Sequence, residues 1–454
     1  MTKPCPKHSS SPVASARLCR RTFLGGVAAS TLASGVAGCG HSDYLGRHSK
    51  RQHAQSPFVA ASDATAMPGP FPGRVIEVSH SGSVAAGVRS REAVKSMIDY
   101  GMEQLVPDAE TPVDAWRYLF QRGDRVAIKV VPVGKVLKPG RVRSDRGCVV
   151  DLQRPGSISS YEVVLEVIDG LTAAGVNLSD ILVAERYRDD FLAAGYNLIL
   201  PDGVHWECCS ASFDLAQLEI DGQVRGESRQ KNVAGYDRDV FRELAFCQPQ
   251  AIHDPEDDRR FRSHLSKIVT QKVDKVISIP VVKDHRSAGV TLALKNMSHG
   301  FHNNVARSHV GNEVPINLNH CQTFIPAVCS LPPIREKCVL QILDGLVGTY
   351  EGGPGSWSST FATWEYKSLL FATDPVALDH IGWEILDAQR AQVGWPGVAR
   401  MGSDAQSGIQ PEVKGRDGTE KYHIRQPQHV PLAGILGLGT FDRRAIDHQR
   451  FQIG

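Results

Sequence analysis

Three lysines sit where the surrounding residues are apolar. Lys129 closes the run Val126-Ala127-Ile128. Lys283, Asp284 and His285 follow Ile279-Pro280-Val281-Val282. Lys295 and Asn296 follow Leu292-Ala293-Leu294. Apolar flanks imply burial, and a buried ammonium either loses its proton or faces a carboxylate. Asp344, Asp374 and Asp379 are the expected partners. Such lysines hold an anionic substrate or act as a base; a structural ion-pair network in the core explains them equally well. On the functional reading Lys283, His285, Lys295, Asn296 and Asp379 are the catalytic candidates, with Lys129, Asp344 and Glu351 contacting substrate. Glu351-Gly352-Gly353-Pro354-Gly355 either offers backbone amides to an anion or is only a turn. Asp374, directly before Pro375, also reads as a helix cap.

Histidines crowd the same region: His285, His299, His302, His309 and His320 account for five of the 17 in the chain. His299 and His302 are three apart and would share a helical face. Neutral imidazole suits zinc, iron, nickel or copper, so His285, His299 and His302 are candidate ligands of a divalent metal ion. A set of polar loop histidines, or His285 as an acid–base group near neutrality, accounts for them without one. H-E-x-x-H, G-x-S-x-G and Walker patterns are absent from the sequence, which weakens zincin, hydrolase and nucleotide-triphosphatase readings.

The elements that must position these groups alternate between strand and helix periods. Residues 74–79, 125–131, 180–184, 275–280, 337–343 and 368–372 read as strands, the second as a β-branched buried run. Residues 90–105 and 161–174 read as amphipathic helices, the first capped by Ser90, the second ended by Gly175. A further helix starts at Asp374-Pro375. This rhythm predicts an α/β domain with a largely parallel sheet flanked by helices. Residues 221–262 break it and read as an irregular insertion or lid. In open parallel sheets ligands bind beyond the carboxyl ends of strands, which is where the charged groups fall.

Several segments in this order have a known counterpart. GDRVAIK (123–129), VISIPVVKDH (276–285), AGVTLALKN (288–296), LDGLVG followed by EGGPG, ATDPVALD (372–379) and HVPLAGILGLG (429–439) together resemble the DUF362 family, from about residue 75 to 440. The resemblance implies an α/β protein, often with a twin-arginine leader, and no settled reaction. Some family members are fused to iron–sulfur ferredoxin modules. This sequence departs there: it has no C-x-x-C, and so no iron–sulfur motif.

The first residues carry an address. Arg20-Arg21 precede a mild apolar stretch rich in Ala, Gly, Ser and Thr, too short to span a membrane. This reads as a signal peptide, which the paired arginines narrow to the twin-arginine class; an ordinary signal cut elsewhere, with Cys39 incidental, is the alternative. Val36-Ala37-Gly38-Cys39 is similar to a lipobox, a resemblance that implies Cys39 as the lipidated first residue of the mature chain. The expected organisation is a leader over 1–39, a flexible Gly/Ser/Pro linker over 40–73, the α/β domain over 74–442 and a tail over 443–454. Without the five basic residues of the leader, 46 Lys and Arg face 49 Asp and Glu, about −3. Nothing in this balance suggests nucleic acid. Beyond Cys39 there are seven cysteines, two of them adjacent, expected to be mostly buried thiols.

The sequence therefore points to an exported protein, anchored by lipid on the periplasmic or outer face of a membrane after passing the twin-arginine translocase. It would act on a small anionic substrate through a Lys/His/Asp pocket, with or without a metal ion. A non-catalytic lipoprotein that binds a ligand or docks to a redox complex is the alternative.

Overall fold

The computed structural model describes residues 66–136, 150–212, 230–243, 262–285, 287–305, 308, 321–356, 360–398 and 427–454. Cys39, the leader, His309, His320 and most of residues 221–262 lie outside these.

The chain opens with β1 (Arg74–Ser79), a short hairpin of β2 (Val84–Ala85) and β3 (Val88–Arg89), then α1 (Arg91–Leu105) and α2 (Pro112–Leu119). Ser90 caps α1 by accepting from the amide of Ala93, and Thr111 caps α2 through that of Asp114. Next come β4 (Val126–Lys129), α3 (Tyr161–Ala174), β5 (Ile181–Tyr187), α4 (Arg188–Ala193) and β6 (His205–Ser210). Gly175, at φ 103°, ends α3 in the left-handed conformation that suits a residue without Cβ. An outlying antiparallel pair joins β7 (Tyr236–Glu243), within the segment read as an insertion, to β8 (Arg262–Ser266), which starts at its end.

The second half runs β9 (Lys275–Ser278), β10 (Val281–His285), β11 (Gly289–Val290), α5 (Leu292–Phe301), α6 (Cys321–Cys329) and α7 (Pro332–Lys337). It continues with β12 (Cys338–Glu351), β13 (Ala362–Trp364), β14 (Ser368–Ala372), α8 (Pro375–Gln392), α9 (His429–Ile435) and β15 (Asp447–Gln452).

Eight strands form the spine of one sheet in the order β15-β1-β14-β12-β9-β4-β5-β6. Every neighbouring pair along it is parallel except those made by β14, which runs against β1 and β12. The largely parallel α/β sheet expected from the sequence is therefore present. β15 pairs with β1 along its full length, so the residues read as a tail beyond the domain supply an edge strand.

Side chains of each strand alternate between two apolar layers. Ile76, Val78, Val126, Ile128, Ile181, Val183, Leu369 and Phe371 pack with α1, α2 and α3. Val75, Ala127, Val276, Leu370 and Ala372 pack with α5, α6, α8 and α9. Covering both faces is what lets these strands be continuously apolar. Each fully buried Val, Ile or Leu contributes about 1.5–3 kcal/mol.

Two strand boundaries differ from expectation. β12 extends through Glu351 instead of ending at 343, so Asp344 and Glu351 stand within a strand. Gly348 there makes room for a neighbour: a Cβ on it would lie 2.4 Å from the Trp364 ring of β13. Lys283 and His285, expected in a loop, lie in β10, which pairs with β12.

Candidate functional site

The strand order reverses once in the half of the sheet where the chain is wholly parallel. From β4 the chain moves to β5 and β6 on one side, crossing through α3 on the first face. It then returns to β9 and β12 on the other side, crossing through α5, α6 and α7 on the second. Such reversals open a crevice at the carboxyl ends of the two central strands. Here those ends are Lys129 of β4 and Ser278 of β9, which are register partners.

Lys129 is almost fully buried, and its ammonium is saturated. Nζ donates to Glu185 Oε2 at 2.6 Å, to the Val130 carbonyl at 2.7 Å and to Asn296 Oδ1 at 3.1 Å. Asn296 Nδ2 in turn donates to Ser278 Oγ at 2.9 Å, tying α5 to both central strands. Gly300 permits this: a Cβ there would stand 2.3 Å from Lys129 Cε. Burial pushes the Glu185 carboxyl up, and Lys129 pulls it back. The expected joining of Lys129 with Asn296 is present, but its carboxylate is Glu185, not one of the three aspartates.

Lys283 and Lys295 are different. Lys283 is fully buried, and its Nζ donates to the Val133 carbonyl. Burial, with Lys295 adding to it, lowers its pKa to about 7. Lys295, on the first turn of α5, is 7 % exposed, and burial brings it to about 8. Among the described residues neither ammonium has a carboxylate bonded to it, and Lys295 Nζ has no hydrogen-bond partner. The fully buried His429 lies within the field of Lys295 and is held near 3 by burial first and Lys295 second; neither of its ring nitrogens is bonded.

The acids expected beside these lysines do other work. Asp344 accepts from the amides of Ser160 (2.7 Å) and Leu346 (3.0 Å), fixing the start of α3. Asp374 caps α8 through Val376 and Ala377 and also accepts from Gly73 and Thr440. Asp379 reaches from α8 to the amides of Ala293 (2.7 Å) and Leu294 (3.0 Å). It supplies the cap α5 lacks, since Thr291 makes no side-chain cap bond and Leu292 is held at φ 48°. Asp379 is thus a positioning residue for Lys295 and Asn296. Glu351, expected to contact substrate, is buried in an ion pair with Arg390 of α8. In the glycine turn after it, the Gly353 amide is taken by Asp284 Oδ1 at 2.7 Å.

The histidines separate. His285 Nδ1 accepts from the amides of Ser287 (3.0 Å) and Ala288 (3.1 Å), which leaves its proton on Nε2. An imidazole so held opposes ligation through Nε2, which would require the proton on Nδ1. His299 is bonded through both nitrogens, to the hydroxyls of Ser298 and Ser308. His302 directs Nδ1 to the Ser298 carbonyl at 2.7 Å. Among the described residues no three His, Cys, Asp or Glu side chains converge for a metal ion, so the His285, His299 and His302 set expected from the sequence is not assembled. The five described cysteines are buried and none is in a disulfide, with Cys209 pushed up to about 12 and Cys321 to about 11 by burial.

Sequence reading missed Glu185, Ser278, Gln341 and His429. Glu185 follows the apolar run 181–184 of β5 as Lys129 follows 126–128 of β4, but the expected strand stopped at 184. Gln341, the register partner of Ser278, is fully buried with both amide atoms unpartnered, inside a run that reads as plain strand.

Residues 245–384 match the family model of DUF362, a domain of unknown function. No curated protein matches the chain. The DUF362 segment runs from before β8 into α8. It carries Ser278, Lys283, Lys295, Asn296, Asp344, Glu351 and Asp379, while Lys129 and Glu185 come from β4 and β5 outside it. The cluster at the carboxyl ends is therefore built by residues on both sides of the segment's boundary.

A cleft of about 430 Å³ lies at the opposite, amino ends of the strands, lined by Arg125, Asp180, His205, Glu207 and Lys272 among others. Its charges are paired near solvent: Lys272 with Glu207 at 2.6 Å, and Arg125 with Asp274 at 2.7 Å. Neither pair is buried, in contrast to the lysines at the other end of the sheet.

Proposed function

We propose that the crevice binds a small anion, carboxylate or phosphate, between Lys283 and Lys295, and that the protein is an enzyme acting on it. The observation that carries this reading is the pair of buried lysines with no carboxylate bonded to either. Burial disfavours the charged form of both, and Lys295 adds to that at Lys283; an anion between them would relieve it. Burial lowers Lys283 to about 7, so it can be uncharged while the site is empty and take up a proton as the anion arrives. Lys129, saturated by Glu185 and Asn296, holds the floor of the site. A non-catalytic receptor would use the same two lysines, and turnover of a bound acid separates the two. No metal ion is required by this reading.

The test is calorimetry with inorganic phosphate near pH 7.5. The native chain should bind saturably and take up protons, because binding favours the charged lysines against the other groups around them (Glu185, Asp284, Lys135, Arg186 and Cys321). Lys283→Met and Lys295→Met should each weaken binding at least tenfold. Absence of binding to the native chain, or equal binding by natively folded variants, would overturn the reading.

The export route and the anchor at Cys39 are likewise proposed, on the sequence of residues 1–39 alone. Among the described residues no helix is long and apolar enough to cross a membrane. Mass spectrometry of the mature chain should find a diacylated Cys39 as its first residue; an unmodified terminus elsewhere would refute it.

A further inference from the structure

α5 carries a second unmet group. His302 closes the helix, seven residues after Lys295, which places it about 10 Å further along the axis. Its Nδ1 faces the Ser298 carbonyl at 2.7 Å and so must carry the proton. The other nitrogen, Nε2, is then a bare acceptor. It is fully buried and has no donor. The backbone of His302 is fixed by a bridge to Leu265 of β8, and that of Asn303 by a bond to the His264 carbonyl at 3.1 Å, so the ring cannot easily turn away. Burial and the nearby Arg186 and Arg242 hold the imidazole neutral, near 3. Arg242 donates to the Ala327 carbonyl and Ser330 Oγ, so no acid neutralises it through those bonds.

One end of α5 thus lacks an acceptor for an ammonium, and the other lacks a donor for an imidazole. A bare imidazole nitrogen whose partner ring nitrogen holds a carbonyl is also the arrangement of a metal ligand. The two guanidinium groups beside it disfavour a cation there, while a neutral O–H is compatible with them. Lys295 and His302 are seven residues, about two turns, apart along α5, which puts them on one side of the helix, so a single ligand can span both.

We propose that the ligand is a hydroxylated acid of the sugar-acid or sugar-phosphate class, its anionic head between Lys283 and Lys295 and a hydroxyl donating to His302 Nε2. This rests on the anion reading above and adds its substrate class. A lone carboxylate or phosphate meets only the lysine end. An acid with a hydroxyl several bonds from the head meets both.

Gluconate and hexanoate have the same chain length and head group and differ only in hydroxyls, so calorimetry of the two is the direct probe. Gluconate should bind about tenfold more tightly, the discrimination expected from one well-placed hydrogen bond. His302→Leu should abolish that preference and leave hexanoate affinity unchanged. Because the variant removes a buried ring, the native chain also supplies a readout: the ¹⁵N resonance of His302 Nε2 should shift toward the hydrogen-bonded range on adding gluconate and stay in place with hexanoate. Equal affinity for the two acids with no shift at His302 would overturn this inference and leave the anion reading standing. Failure of gluconate, hexanoate and inorganic phosphate alike to bind would overturn both.

Discussion

The two ends of one sheet hold their charges in opposite ways. At the amino ends, Arg125 with Asp274 and Lys272 with Glu207 pair near solvent around an open cleft. At the carboxyl ends, Lys129, Lys283 and Lys295 are buried, and only Lys129 has an acid. Surface pairs cost little to make and yield little. An unpaired buried ammonium destabilises the fold, and that cost is what the proposed anion would offset. The better-formed cleft and the better candidate site are therefore different places.

Variants at the carboxyl end should have the largest effects, and of opposite sign. Glu185→Leu leaves Lys129 buried without its counter-charge and should destabilise the fold by about 3–5 kcal/mol in denaturant unfolding. Lys283→Met removes a charge that has no acid bonded to it. It should stabilise the fold at pH 7 by about 1–3 kcal/mol, the lost bond to Val133 offsetting part of the gain. Two destabilising results would mean that Lys283 is structural like Lys129.

Next in size is the cap in trans. Asp379→Ala should cost about 1–2 kcal/mol by freeing two amides of α5. It should also weaken phosphate binding although Asp379 touches no ligand; unchanged affinity would show that Lys295 does not depend on this cap. Lys272→Ala, at the amino end, should change stability by less than about 1 kcal/mol.

The pH dependence sharpens the same contrast. The folded-state pKa of Lys283, about 7, lies below its ordinary value of 10.5. The unfolded chain therefore binds more protons between those limits, and stability should rise with pH from about 7 toward 10. Lys283→Met should flatten that rise. A native chain already flat over this range would place the ammonium in contact with solvent or an acid.

Much of this was legible in the sequence, because periodicity and caps are local. The strand at 74–79, the helix at 161–174 ended by Gly175 and the Asp374-Pro375 helix start stand where their residues put them. Lysines inside apolar runs signalled burial just as directly. What each charge faces is a matter of register and crossover, and single segments do not carry it. Asp344, Asp374 and Asp379 have the same look in sequence as a lysine's counter-ion, yet each is used on backbone amides. Glu185 reaches Lys129 only because β5 lies beside β4. The histidines were grouped by proximity in sequence, but the partners of each ring nitrogen decide what it can do, and those come from neighbouring serines and amides.

The central claim is that Lys283 and Lys295 are buried, unneutralised and waiting for an anion. Selective labelling of lysine side chains, with the two signals assigned by the methionine variants, allows each to be titrated by nuclear magnetic resonance with and without inorganic phosphate. Midpoints near 7 and 8 that both move upward when phosphate is added are the predicted result. Midpoints at the ordinary lysine value, or depressed midpoints that phosphate leaves unmoved, would contradict it.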